Sequence, residues 1–272
     1  MILIILPNNM IKILYGLILI VVIVLAIGCK LQNDISKSVE DNAKVFNDAK
    51  DKILSAKPTT VVETPITAIK NEVSLPVPFA VQFPAGTLDY PYQEGCEEAS
   101  IIMAKAYFDG NSSDTIPNNE VDNTLLSMVD WQNLNWGGHY DLDATQTLDL
   151  MQKYYKISNG QVVLVSSIDD IKRLLSEDKI IVAPTYGMKL ENPYFTAPGP
   201  AYHMLIIKGY NDTQFITNDP GVGVGKDFTY SYDNLFDAIH DLPAEAKNIE
   251  HYIKNHHELM QNSPKYVITI EK

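Results

Sequence analysis

The chain has 272 residues, of which 46% are hydrophobic and 20% charged, and its formal net charge is −13. This composition is typical of a globular chain with one or two domains. An acidic surface of this size argues against nucleic acid or anionic lipid headgroups as the main partner.

The first 29 residues differ from the rest of the chain. Residues 13–29 carry no charge, and these 17 residues approach the roughly 20 needed to span a bilayer. Lys12 precedes them, so we predict that residues 1–29 are a signal or anchor segment and that the rest of the chain lies on the extracytoplasmic side. Residues 25–29 also resemble a bacterial lipoprotein signal, in which Cys29 would be lipidated. A signal anchor and a lipoprotein both remain open.

Residues 30–72 lack the apolar periodicity of a core. A polar, charged stretch is followed by a segment rich in proline and threonine, which indicates a stalk and a linker. We predict a single globular domain over residues 73–272, since 200 residues are enough for one core. The chain has only two cysteines, and Cys29 would lie at the membrane, so Cys96 has no disulfide partner.

The predicted domain begins with helices and continues as a sheet. Residues 77–82 read as extended, and a helix follows over 96–108 with an apolar face formed by Ala99, Ile102, Met103 and Ala106. Further helices are predicted at 124–129, 145–154 and 171–175, the last capped at Ser167. Strands are predicted at 161–165, 180–184, 203–210, 213–217 and 266–270, with a tight hairpin at residues 211–212. This order indicates an α+β fold.

Cys96 stands at the predicted N-terminus of a helix, a position that favours a thiolate through the helix dipole. Glu97 and Glu98 stabilise the first turn of that helix, but as like charges they oppose thiolate formation. A nucleophilic Cys96 would therefore need a cation, which is usually a histidine. The alternative is that Cys96 is a buried and inert small hydrophobic residue.

Six histidines could supply that cation. His203 opens an apolar strand, and Asp219 follows one hairpin later, so neighbouring strands could bring its carboxylate to the imidazole. Asp219 also lies in an ordinary turn sequence, and His203 could be a core residue. His139 is in a loop and could line a cleft, whereas His240 and the histidines at 251, 256 and 257 are predicted to be solvated on helices. Zinc binding by Cys96, His203 and Asp219 lacks a short-spaced ligand pair.

Together these residues resemble cysteine peptidase family thirty-nine, the papain-like group that includes double-glycine leader peptidases, and in particular its free-standing exported relatives. The resemblance covers residues 77–220 and implies a papain-like fold, with a nucleophile helix packed on an antiparallel sheet. It implies Cys96 as nucleophile, His203 as base and then acid, and Asp219 as the orienting acid. Gln82 would stabilise the oxyanion, with Gln93 as the alternative donor. The chain departs from the family where Glu97 and Glu98 replace the frequent Gly-Pro.

The resemblance implies a membrane-tethered peptidase that acts on a peptide or protein substrate and needs no cofactor or metal. A catalytically inactive peptide-binding module and an acyl or amide transferase with the same triad remain open. The chain contains no P-loop motif, so it is not itself an ATP-driven exporter. Its oligomeric state is not predicted. Aromatic residues could line a peptide cleft or belong to the core, and we interpret them as lying in loops around the site: Trp131, Trp136, Tyr140, Tyr186, Tyr194, Phe195 and Tyr202.

Overall fold

The structure is a computed structural model that describes residues 68–243 and 257–272. Its strands are β1 (Val73–Ser74), β2 (Gly160–Leu164), β3 (Ile180–Thr185), β4 (His203–Tyr210), β5 (Gln214–Asn218), β6 (Phe228–Ser231) and β7 (Tyr266–Ile270). Its helices with defined ends are α1 (Cys96–Phe108), α2 (Asn118–Trp136), α3 (Ala144–Tyr155), α4 (Ile168–Ser176) and α5 (Tyr232–Ala238), and residues 257–262 are also helical. Short 3-10 turns occupy Tyr92–Glu94 and Gly187–Leu190.

The predicted signal or anchor segment at 1–29 and the stalk and linker up to residue 67 lie outside the described residues. Across residues 68–243 and 257–272, no helix has the length and apolar character needed to cross a bilayer. The anchor and the domain boundaries therefore stay predictions.

The seven strands form one antiparallel sheet in the order β2-β7-β3-β4-β5-β6, with β1 added beside β4. Both β3 and β4 are buried along their whole length, which places the centre of the core at these two strands. At the far end of β4 the backbone of β1 approaches so closely that a Cβ on Gly209 would lie 2.1 Å from the carbonyl oxygen of Val73. Glycine is therefore required where β1 joins the sheet.

Helix α1 is buried on nearly all sides. The predicted apolar face is largely correct, since Ala99, Ile102 and Met103 are buried, but Ser100 and Ile101 are buried as well. The helix packs against β4 and β3 on one side and against α2 and α3 on the other. A helix in this central position leaves few of its side chains to solvent, including the polar ones.

The remaining elements match the predicted α+β class, and the predicted 211–212 hairpin is present, with the Asn211 N–H donating to Gln214 O at 3.0 Å. The Ser167 side chain accepts from the Asp170 N–H as the N-cap of α4. Helix α3 begins with a capping box between Asp143 and Gln146. The sequence did not predict β1, β6 or α5, which are short elements with weak periodicity.

Two predictions about individual residues are wrong. His240 is buried and its Nδ1 lies 2.8 Å from the carbonyl oxygen of Ser263, because the chain after α5 turns back against the end of β3. Trp131 and Trp136 are not loop residues. They lie in α2 and pack edge to face with ring centroids 5.3 Å apart.

Candidate active site

Cys96 is the first residue of α1 and is 4% exposed. The 3-10 turn Tyr92–Glu94 and Gly95 lead directly into it, and no side chain caps the helix. The first N–H groups of an α-helix have no intrahelical carbonyl partner, so they are available to an oxygen placed beside the cysteine. The local chain thus combines a thiol with backbone donors.

Acidic side chains surround the thiol. A hydrogen bond of 3.0 Å joins Cys96 Sγ to Oε2 of Glu97, whose Oε1 accepts the Leu142 N–H at 2.8 Å. Burial raises the pKa of Cys96 well above its ordinary value, and the charges of Glu97 and Asp141 raise it further. Burial also raises the pKa of Glu97 and of Asp141. This half of the site therefore favours protonated groups.

His203 and Asp219 form the second half. His203 is the first residue of β4, Asp219 directly follows β5, and Nε2 of the imidazole lies 2.8 Å from Oδ1 of the carboxylate. A neutral imidazole that donates its Nε2–H to Asp219 keeps Nδ1 as its basic nitrogen. The pair that the hairpin argument expected is therefore in direct contact.

Asp219 is fully buried and accepts hydrogen bonds from more than the histidine. Its Oδ1 also accepts the Gly221 N–H at 3.0 Å, and its Oδ2 accepts from Tyr230 Oη at 2.6 Å and Asn192 Nδ2 at 3.1 Å. Burial alone would raise the pKa of Asp219, but attraction to His203 and these hydrogen bonds outweigh it and lower the pKa. The carboxylate is thus held in its charged form.

Tyr230 and Asn192 belong to the candidate site through Asp219, and sequence reasoning missed both. Tyr230 lies on β6, which was not predicted, and Asn192 lies in the loop between β3 and β4. Asn192 also donates to Tyr230 Oη at 2.8 Å, so the two side chains support each other around Asp219. Nothing in the local sequence of either residue marks it as a partner of a carboxylate 11 or 27 residues away.

The backbone of Leu142 joins the two halves. Its N–H donates to Glu97, and its carbonyl oxygen accepts from Tyr202 Oη at 2.7 Å. Tyr202 immediately precedes His203. One turn along α1, Ser100 Oγ donates to the Met204 carbonyl oxygen at 3.4 Å, so the helix is fixed against the first residues of β4. The cysteine and the histidine consequently stand at the ends of two elements that pack together.

Gln82 touches both halves, whereas Gln93 does not. The Gln82 N–H donates to Pro220 O at 3.0 Å, next to Asp219, and its Nε2 donates to Tyr92 O at 3.1 Å, just before Cys96. Gln82 is buried, and within the described part of the chain its Oε1 has no hydrogen-bond partner. Gln93 is exposed and donates to its neighbour Glu94 at 3.1 Å. Gln82 is therefore the amide that links the turn before Cys96 to the loop after Asp219.

The profile of the Peptidase_C39 like family matches residues 74–240, which is more than half of the chain. The chain belongs to this family. Among solved structures, it is similar to a candidate C39-like peptidase from Bacillus anthracis, with 16% identity, a TM-score of 0.42, and coverage of 75% of this chain and 98% of the other. The family assignment rests on the profile match. No curated protein matches the chain at a significant level.

The other described histidines of this C39-like chain, which are His139, His240 and His257, contact other partners than Asp219. His139 is buried with its Nε2 3.3 Å from Oε1 of Glu98, which also accepts from Gln132 Nε2 at 2.6 Å. His257 is exposed and contacts the hydroxyl of Tyr186, while residues 251 and 256 lie outside the described chain. Among the described residues, no group of three or more His, Cys, Asp and Glu side chains is arranged to hold a metal ion.

A pocket of about 290 Å³ lies beside the histidine and is lined by loop residues between 187 and 199. Phe195 forms part of its wall and packs edge to face on the His203 ring, with centroids 5.3 Å apart. Of the aromatic residues expected near the site, Tyr186 and Tyr202 are buried, while Tyr140 and Tyr194 are exposed. The aromatic set is therefore divided between core and surface.

Proposed function

We propose that this chain is a cysteine peptidase that hydrolyses peptide bonds, with Cys96 as nucleophile, His203 as base and then acid, and Asp219 as the orienting group. The observation that carries the proposal is the buried His203–Asp219 pair, whose geometry leaves Nδ1 as the basic nitrogen. The packing of α1 against the start of β4 supports it, since Cys96 opens that helix.

In this mechanism, Nδ1 of His203 takes the thiol proton and the sulfur attacks the carbonyl carbon of the peptide bond. The C–N bond then breaks as His203 returns the proton to the leaving amine, which leaves a thioester on Cys96. Water attacks the thioester while His203 takes one of its protons. The C–S bond breaks, the acid product leaves and the proton returns to the sulfur.

The oxyanion formed at each attack needs donors that are already in place. The Cys96 N–H at the start of α1 is one, since helix N-termini present free N–H groups. Gln82 would be the second, because Nε2 carries two N–H groups and Tyr92 O accepts only one of them. The hydrogen bond from the Gln82 N–H to Pro220 O would fix the position of Gln82 relative to Asp219.

The test is hydrolysis of a mixture of peptides of known sequence by the full chain, with products read by mass spectrometry. Cys96→Ala should abolish cleavage and keep the far-UV circular dichroism spectrum. Cys29→Ser, which changes the other cysteine, is the matched control and should keep cleavage. Equal cleavage by the Cys96→Ala variant would overturn the proposal.

A peptide-binding module without turnover is the second candidate, and one observation favours it. The raised pKa of Cys96, caused first by burial and then by Glu97, disfavours the thiolate that catalysis requires. This candidate predicts that the wild-type chain and Cys96→Ala bind the same peptides with equal affinity and that neither cleaves them. Cleavage by the wild-type chain would exclude it.

We also propose that residues 1–29 tether the domain to a membrane on its extracytoplasmic side, on the basis of their apolar sequence. Deletion of residues 1–29 should move the protein from the membrane fraction to the soluble fraction. Cys29→Ser should do the same only if the anchor is a lipid. Recovery of the full chain in the soluble fraction would refute the tether.

A further inference from the structure

Glu97 is the side chain that touches the proposed nucleophile. Its Oε2 lies 3.0 Å from Cys96 Sγ, and its Oε1 accepts the Leu142 N–H at 2.8 Å. The residue is 1% exposed, so solvent does not compete for either oxygen. Each oxygen of this carboxyl therefore has one defined partner.

This arrangement fixes where a proton on Glu97 would lie. Since Oε1 already accepts an N–H, the proton of a neutral Glu97 belongs on Oε2, from where the O–H points at the sulfur. The sulfur then accepts, and its own S–H is free for another acceptor. An ionised Glu97 reverses the direction, because Oε2 then accepts the S–H and keeps the proton on the thiol.

We propose that Glu97 is a further catalytic residue: as a neutral acid it donates Oε2–H to the Cys96 sulfur and leaves the thiol proton to His203, whereas in its ionised form it holds Cys96 as the thiol. This inference rests on the proposed function. Glu97 would then stabilise the Cys96 thiolate whenever its carboxyl group is neutral, and would oppose the thiolate only when it is ionised.

The surroundings favour the neutral form. Burial raises the pKa of Glu97 well above its ordinary value, and the charges of Asp141 and Glu98 raise it further against the opposing hydrogen bonds from the Leu142 N–H and the Cys96 thiol. A carboxylic acid kept neutral by its environment can act as a donor at neutral pH. The titratable groups that face this cluster are Cys96 and Glu98 on α1, Asp141 before α3, Glu94 in the turn before α1, His139 beside Glu98, and Tyr202 before β4.

The experiment compares Glu97→Gln with Glu97→Leu. Glutamine keeps both partners, because its Oε1 can accept from Leu142 and its Nε2 can donate to the sulfur, but it cannot ionise. Leucine removes the donor. Glu98→Gln is the matched control, since it removes a neighbouring acid on the same helix whose Oε1 accepts from Gln132 Nε2. Alkylation of the full chain by iodoacetamide is followed from acidic to alkaline pH, with the Cys96 peptide quantified by mass spectrometry.

We expect Glu97→Gln to alkylate at about the wild-type rate while Glu97 is neutral, and about tenfold faster at alkaline pH, where only the wild-type side chain ionises. Glu97→Leu should alkylate about tenfold more slowly than Glu97→Gln, since one hydrogen bond to a charged sulfur is lost. Glu98→Gln should move the profile less than Glu97→Gln. Equal profiles for the glutamine and leucine variants would show that no donor is involved and would overturn the inference.

A measurement on the wild-type chain covers the case in which a variant does not fold. Its alkylation profile should show two ionisations, one from Glu97 and one from Cys96, and a single ionisation at the ordinary thiol pKa would overturn the inference. Alkylation needs no substrate. Absence of peptide cleavage would therefore defeat the proposed function, whereas the alkylation profiles decide the role of Glu97 separately.

Discussion

The two halves of the candidate site treat charge in opposite ways. Around Cys96, burial and neighbouring acids raise the pKa of the thiol and of Glu97, so protons are retained. Around Asp219, four donors compensate for complete burial, and the pKa of the carboxyl is lowered. Both environments exclude water, but only the second supplies hydrogen bonds to a full negative charge.

This difference shows that burial by itself does not decide protonation. The sign of the neighbouring charges and the number of hydrogen-bond donors decide it as well. In the proposed reaction a proton moves from Cys96, whose surroundings retain protons, to His203. Asp219 would stabilise the imidazolium that forms there. The surroundings of Cys96 oppose this transfer, whereas Asp219 favours it. Mutations that weaken the Asp219 half should therefore slow the first step of the proposed reaction.

The largest effect is expected from Asp219→Ala, which removes the buried carboxylate that contacts His203. We expect kcat/KM for peptide cleavage to fall by about 10³-fold or more, because His203 loses the group that sets its tautomer. The folded state should lose about 3 kcal/mol, since His203 and Tyr230 lose a buried acceptor. Urea denaturation and steady-state kinetics measure the two effects.

The control for this variant is Asp212→Ala, which changes an exposed acid in the β4–β5 hairpin. It should leave both quantities unchanged. If Asp219→Ala and Asp212→Ala cleave peptides equally well, Asp219 does not orient His203.

A smaller effect is expected where the two halves are linked. Gln82→Leu should lower kcat by about 10²-fold, because one oxyanion donor is lost. Gln93→Leu is the matched control and should leave kcat unchanged, since Gln93 is exposed and donates to Glu94. A larger loss from Gln93→Leu than from Gln82→Leu would assign the donor to Gln93 instead.

The smallest effect is expected from Tyr230→Phe, which removes one of the hydrogen-bond donors to Asp219. The surroundings of this carboxylate then stabilise its negative charge less well. Removing one of four hydrogen bonds to this buried carboxylate should cost about 1.5 kcal/mol of folding free energy. The lowered pKa of Asp219 contributes stability that is present above its unfolded value and is lost as pH falls through the folded value. In Tyr230→Phe the folded pKa rises, so that loss should begin at higher pH.

Urea unfolding at a series of acidic pH values tests this shift. Tyr194→Phe is the control, because Tyr194 is exposed and lies in the loop next to Asn192. An acid limb of stability at the same pH in Tyr230→Phe and in the wild-type chain would contradict the role assigned to Tyr230.

Local pattern was sufficient to predict much of the fold. The ends of α1 at Cys96 and Phe108 follow from apolar spacing and from the stop at Asp109 and Gly110, and the β4–β5 hairpin follows from alternation and a turn signal. Because adjacent antiparallel strands bring their ends together, the same reasoning anticipated the contact between His203 and Asp219.

Contacts between distant residues could not be predicted in this way. Glu97 and Glu98 read as charges in a first helical turn, but their partners, Leu142 and Gln132, lie 45 and 34 residues further along the chain. Tyr230 and Asn192 reach Asp219 only once the sheet is assembled. His240 carries polar neighbours in sequence, yet the packing of the chain against the end of β3 buries it.

The attachment of β1 also determines where mechanical tension would enter the domain. The Lys70 N–H donates to Ser176 Oγ, and its carbonyl oxygen accepts from Tyr210 Oη. Val73 then pairs with Tyr210 in the sheet. This point lies at the opposite end of β4 from His203, about 23 Å away at the usual rise of an extended strand. A force applied through the preceding chain would act first on the Lys70 hydrogen bonds and the β1–β4 pairing, and only later on the end of β4 that carries His203.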